Sequence, residues 1–343
     1  MKKALIIILV IVCVLAGGYL AYRYYAENNQ SGSGETLADN EQKDDGTIVV
    51  ELNKEPEKTV NIYKGTDRPI AVMIDNNRKA WPQAGLNEAY LVYEIIVEGG
   101  ETRLMACFKG VNLEKIGPVR SSRHYFLDYA MENGAIYVHY GWSPQAQSDI
   151  GTYKINNING ITESGKTIWR VKDKSSPQNI LASAEKKGYA TTSNVTSVLN
   201  YVVDEVELTE GTNANKIVIP YTDSHKVMYE YNPETKMYTR YSKGELQKDW
   251  STKENVTTKN IIITKAKNYT LNDRENKGRQ GLENIGKLEG YYITNGKVIP
   301  INCTKDSRIS KTKYEDLNGK EIEVNDGRTF IQICPIDSEI IFE

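Results

Sequence analysis

Met1-Lys-Lys3 leads into an uncharged, mostly apolar run from Ala4 to Ala21, and no second run of that kind occurs in the 343 residues. A helix needs about 20 residues to cross a bilayer, with a lower limit near 17, so this run suffices. The rest of the chain must then bury its apolar side chains against one another. Lys2 and Lys3 place the N-terminus in the cytoplasm by the positive-inside rule, and the long body outside. Tyr19, Tyr22, Tyr24 and Tyr25 suit an interfacial aromatic belt. The expectation is one N-terminal transmembrane helix, a signal-anchor giving single-pass topology in the cell membrane. Two other processing routes leave the body in the same place. Cleavage at Ala16-Gly-Gly18, or near Ala21, gives a secreted form. Cleavage before Cys13 gives a lipoprotein, although Leu9-Val-Ile-Val12 puts no small residue beside that cysteine.

Length suggests about two domains behind the anchor. The segment from Glu27 to Asp45 is too poor in apolar residues to fold and reads as a tether. The division expected is an anchor over 1–25, a tether over 26–60, an α/β domain over 61–210 and a β-rich domain over 211–343. A net charge of -2 excludes nucleic acid as a bulk partner, because phosphate binding needs clustered excess Lys and Arg. Tyr outnumbers Phe by 23 to 4, which suits strands and wet recognition surfaces. Cys107, Cys303 and Cys334 have no metal-site spacing, so neither a metal nor any other cofactor is indicated. Cys303 and Cys334 are open to forming a disulfide outside the cell.

The patterns predict elements. Ile70–Asp75, Ala89–Val97, Arg103–Phe108 and Ala135–Tyr140 read as strands. Ser121 to Met131 reads as a helix capped by Ser121 or Ser122. Ser143-Pro144 and Ser176-Pro177 read as helix starts, with Gly188 closing the second. Beyond Lys216 three hairpins are expected, around Asn232-Pro-Glu-Thr235, Asn295-Gly296 and Asp326-Gly327. The fold class is a mixed α/β domain followed by a β-rich sandwich or partly open barrel.

Chemistry concentrates between Asp75 and Trp142. Val97-Glu-Gly-Gly-Glu-Thr-Arg103 joins two strands, and its glycines permit sharp turning or close approach of a ligand. Ile116-Gly-Pro-Val-Arg-Ser-Ser-Arg123 puts Arg120 and Arg123 at a helix start, where free N–H groups and arginine forks suit an anion. Ligand-binding candidates are therefore Glu94, Thr102, Arg103, Arg120, Ser121 and Arg123. Catalytic candidates are Glu98, Asp75 and His139, the last ending a strand beside Gly141 and Trp142; His124 follows the arginines. The bland alternative is that the arginines pair with Glu94, Glu98 or Asp128 and hold the fold. Glu94 and Glu98 lie about 13 Å apart along a strand, too far for a glycosidase pair.

Several of these stretches resemble the YerB-like family of Gram-positive envelope lipoproteins. They are Ala71-Val-Met-Ile-Asp-Asn76, Val97-Glu-Gly-Gly100 with Thr102-Arg103, Lys115-Ile-Gly-Pro-Val-Arg-Ser121 with Arg123, and Tyr137-Val-His139 with Ser143-Pro-Gln-Ala146. The resemblance implies an extracytoplasmic location, an N-domain and C-domain layout, and no established reaction. The family's Ala-Pro-His-Asn stands here as Ser176-Pro-Gln-Asn179. The expected function is a membrane-anchored envelope protein that binds an anionic wall component or a peptidoglycan-synthesis partner. The alternatives are an enzyme acting on wall polymer, by glycan cleavage or phosphoryl transfer, and a pure docking scaffold.

Overall fold

The computed structural model describes residues 59–111, 115–163, 167–171, 174–177 and 180–343. Residues from Lys58 to Glu343 form one compact unit. Its N-terminal half supplies strands β1 (Ile70–Asp75), β2 (Leu91–Ile96), β3 (Thr102–Phe108), β4 (Ile136–His139) and β5 (Asn157–Asn159). The helices are α1 (His124–Glu132), α2 (Pro144–Thr152) and α3 (Ile180–Lys186). The C-terminal half supplies β6 (Lys216–Thr222), β7 (His225–Asn232), β8 (Met237–Ser242), β9 (Asn260–Thr270), β10 (Gly286–Thr294), β11 (Lys297–Lys305) and β12 (Thr329–Pro335).

Strands from both halves enter one sheet, in the order β11-β10-β9-β12-β2-β3-β1-β4-β5. β12 is the joint: it runs parallel to β9 on one side and to β2 on the other. Both faces of this sheet are covered, so β2 has no solvent face and all six of its residues are buried. Side chains alternate across a strand, and the two faces build two cores. On one face Met73, Tyr93, Met105 and Tyr137 pack with α1 residues Phe126 and Leu127. On the other, Val72, Val92, Ala106 and Phe330 pack with Ile217, Val227 and Tyr229 of a second sheet built on β6, β7 and β8.

The predicted strands are found with their ends moved by a residue or two, and Ser143 caps α2 through the Ala146 N–H. Other expectations are corrected. Among the described residues no helix is long and apolar enough to cross a membrane. The N-terminal transmembrane helix, attachment to the membrane through it and single-pass location are therefore not carried forward; the run Ala4 to Ala21 itself lies outside the described residues. α1 is capped by Arg123, whose backbone is extended and whose side chain does not cap. Ser121 and Ser122 are occupied elsewhere, Ser121 Oγ donating to Tyr140 O and Ser122 Oγ accepting from Tyr137. Lys174–Pro177 is a strand rather than a helix start, and Gln178 and Asn179 lie outside the described residues. Asp326-Gly327 makes no hairpin. Val324–Asn325 pairs with Tyr201–Val202, and the Asp326 carboxylate accepts from the Asn61 and Ile62 N–H groups. Cys303 and Cys334 are free buried thiols in opposite cores, so the sheet stands between them. Gly290 leaves the gap through which Cys303 Sγ meets the Thr264 hydroxyl, since a Cβ there would lie 2.7 Å from that sulfur.

Candidate functional site

β1, β2, β4 and β5 run the same way, and β3 runs against β1 and β2. Asp75, Glu98, His139 and Asn159 thus reach one edge of the sheet, where β3 begins with Thr102 and Arg103. Ligands of α/β sheets favour that edge, outside the carboxyl ends of parallel strands. The segment 119–122 lies along it like a further strand. Arg120 N donates to Met73 O, Tyr140 N to Arg120 O and Ser122 N to Gly141 O.

Strand parity sorts the candidates into two groups. Asp75, Glu98, Arg103, Arg120, Ser121 and Arg123 form a cluster at the α1 side. Arg123 grips Glu98 with two bonds, Nε to Oε1 at 2.5 Å and Nη2 to Oε2 at 2.9 Å. Arg103 donates to Ser121 O at 2.6 Å and lies 3.8 Å from Glu98. Arg120 Nε meets Asp75 Oδ2 at 2.8 Å, and that carboxylate is the one hydrogen-bonding partner of its side chain among the described residues. The Arg120 side chain is 55% exposed, against 12% and 14% for Arg123 and Arg103. Desolvation lifts the Glu98 carboxyl, but the hydrogen bonds and charge of Arg123 outweigh it and hold the group below its ordinary range. Burial, then repulsion from Arg123, pushes Arg103 down to about 10. Three arginines face two carboxylates, so the edge keeps one excess positive charge.

Glu94 and Thr102 point the other way, into the space between the sheets. Glu94 is fully buried and accepts from Thr102 Oγ1 at 2.7 Å, Asn76 Nδ2 at 3.0 Å and Arg240 Nη2 at 2.8 Å. Desolvation opposes its charge, yet Arg240 and then His225 hold its carboxyl below the usual value. His225 lies 3.8 Å from Glu94 and burial lowers its pKa. These groups lock two sheets together and have no contact with solvent.

His139 is fully buried, stacked on Tyr137 and tilted against Trp142. Its Nδ1 lies 2.8 Å from Gly141 O and its Nε2 3.1 Å from Asn157 Oδ1, so it shapes the edge from beneath. His124 contacts Arg308 through its carbonyl; burial, then that positive charge, pushes its ring down to about 4. Among the described residues no group of three or more His, Cys, Asp or Glu is placed to hold a metal ion.

Sequence reasoning missed Arg240, His225 and Asn159. A signal existed for Arg240. Tyr238, Arg240 and Ser242 occupy the buried positions of β8, and a charge on an inward face requires a buried partner. Asn159 carried no such signal, because its role depends on Gly141 lying beside it.

Comparison with known proteins adds three findings. Residues 56–197 match the N-terminal domain, and residues 217–331 the C-terminal domain, of DUF3048, a protein family of unknown function. A Bacillus subtilis (strain 168) protein named "Putative lipoprotein YerB" is 31% identical over 283 residues, covering 78% of this chain and 81% of its own length. The crystal structure of the YerB protein from Bacillus subtilis matches at a TM-score of 0.71 and 29% identity, covering 84% of this chain and 97% of that one.

Proposed function

The chain belongs to the DUF3048 family of YerB-like proteins, and from that footing we propose that it is an extracytoplasmic cell-envelope protein that recognises an anionic group of a wall polymer. The lipoprotein name of the relative supports the location. Arg120 carries the ligand reading. Its guanidinium projects from the strand-end edge, is more than half exposed, and is steadied by one carboxylate at Nε. Its two Nη groups make no hydrogen bond within the described residues, and that face of arginine fits phosphate or carboxylate with paired bonds. Arg103 and Arg123 are spent on Glu98 and Ser121 and serve to hold the edge in shape.

The same geometry weighs against glycan cleavage through Glu98. A general acid at neutral pH needs its carboxyl raised, whereas Arg123 lowers this one.

Sedimentation with purified wall sacculi tests the reading, using sacculi that retain their phosphate-bearing polymers and sacculi stripped of them. Binding to the first should exceed binding to the second and weaken with salt. Arg120→Ala should lower the affinity at least about tenfold, the size expected when a charge-assisted pair is lost. The melting temperature should hardly move, since an exposed ion pair contributes about 0–1 kcal/mol. Equal binding by wild type and Arg120→Ala would sink the proposal.

A further inference from the structure

Asn159, at the carboxyl end of β5, is 4% exposed and its side-chain oxygen is fully used. Oδ1 accepts from the Gly141 N–H at 3.0 Å and from the Ile161 N–H at 3.1 Å. Its Nδ2 is buried and has no hydrogen-bond partner. Buried donors are rarely left alone, because an unmade bond costs the full desolvation of the group. Three extended stretches lie side by side here. Residues 120–122 bond to 140–142, and Gly141 bonds to Asn159. Neighbouring extended segments are about 4.8 Å apart, so Arg120 and Asn159 are two spacings, roughly 10 Å, from each other along one edge. Ile161, 59% exposed, stands beside Gly141, with its Cδ1 3.2 Å from where a Gly141 Cβ would sit. Ser121 Oγ comes to 3.5 Å of the same point, so Gly141 leaves a gap between the Arg120 segment and Asn159.

We propose that Asn159 Nδ2 is a second recognition point of the Arg120 edge, donating to the carbonyl oxygen of an acylamino group on the sugar that carries the anion. The inference rests on the anion reading and narrows its ligand to an N-acylated amino-sugar phosphate. The choice of a carbonyl follows from hydrogen-bond inventory. Nδ2 can only donate, and the Asn159 oxygen is already occupied by two N–H groups. A sugar hydroxyl placed there would have its own proton unsatisfied in a buried site. A carbonyl oxygen has no proton to place. One sugar phosphate, with its acylamino and phosphate groups on adjacent ring carbons, spans the edge once the Arg120 side chain extends toward it.

The test uses the full chain and three probes, followed by calorimetry: N-acetylglucosamine 1-phosphate, glucose 1-phosphate and inorganic phosphate. The acetylated probe should bind about tenfold more tightly than glucose 1-phosphate, the discrimination expected when a buried donor is either met or left unmet. Asn159→Asp is the informative variant. It keeps an oxygen for the Gly141 and Ile161 N–H groups, so the fold survives, and it removes the donor. The ratio between the two sugar probes should fall to about one, whatever the added charge does to both affinities. Binding of all three probes that depends on Arg120 but shows no preference for the acetyl group would overturn this inference and leave the anion reading standing. Binding of none would overturn both, as would a ratio that survives Asn159→Asp for this inference alone.

Discussion

Cut within residues 203–211, the chain is expected to give two fragments that do not fold apart and that recover structure on mixing. The two family-matched halves meet inside one sheet rather than at a surface. Removing the C-terminal half takes away β12, which pairs with residues 91–95 of β2. It also strips the second sheet from Val72, Val92 and Ala106. Four of the ion-pair contacts that cross the cut involve buried or nearly buried carboxylates. Glu94 loses Arg240, Glu132 loses Lys305 at 2.7 Å, and Asp128 and Asp149 lose Arg308 at 2.7 and 2.9 Å. Glu132 is fully buried and also accepts from the Thr312 N–H and hydroxyl, so the cut deprives it of three of its donors. Leaving one member of a buried pair alone costs about 3–5 kcal/mol, and two such carboxylates consume most of the 5–15 kcal/mol that holds a typical domain together. Circular dichroism and urea unfolding of each fragment, alone and mixed, measure this. A cooperative transition in the isolated N-terminal fragment would show that the halves are separate folding units.

That interlocking explains which parts of the fold were readable in advance. Strands such as Ile70–Asp75 and the hairpin around Asn295-Gly296 are specified by local alternation and turn chemistry. Thr329-Phe-Ile-Gln-Ile333 reads as one arm of a hairpin, but Asp326-Gly327 suggests the wrong partner for it. A turn dipeptide carries no information about β2, which lies more than two hundred residues away and offers an unpaired edge between two cores. Non-local pairing won because β12 buries both of its faces there. The serines before α1 mislead for a related reason. Ser122 could cap a helix, yet its N–H is needed by Gly141 and its hydroxyl by Tyr137. In the candidate site the charged residues were visible by type, and strand parity decides their sides. Asp75 and Arg103 turn to the helices while Glu94 and Thr102 turn to the second sheet. The contribution of Arg240 lies in the other half of the chain, so no local pattern around Glu94 could announce it.

Arg240→Met should lower stability by about 3–5 kcal/mol, whereas Glu94→Met together with Arg240→Met should restore most of the loss. Arg240 and Glu94 are each fully buried, and the ion pair between them is 2.8 Å long. With Arg240 gone, Glu94 keeps Thr102 and Asn76 as donors but no arginine to balance its charge. The penalty is that of an uncompensated buried carboxylate, and it disappears when both charges go, because two well-packed apolar side chains replace a pair already expensive to desolvate. Arg240 Nε and Nη1 make no hydrogen bond and the guanidinium carbon lies 5.7 Å from the Phe330 ring, so a thioether can occupy that space at little cost. The pH dependence gives an independent reading. The Glu94 carboxyl is held below its unfolded value, so its pairing contributes stability that is present above about pH 4.3 and lost as the pH falls from there. Urea midpoints taken between pH 7 and pH 3 should therefore fall more steeply for wild type than for the double variant. Parallel slopes would mean that Glu94 does not hold its charge between the sheets. A single variant as stable as wild type would mean that the pair contributes nothing to closing them.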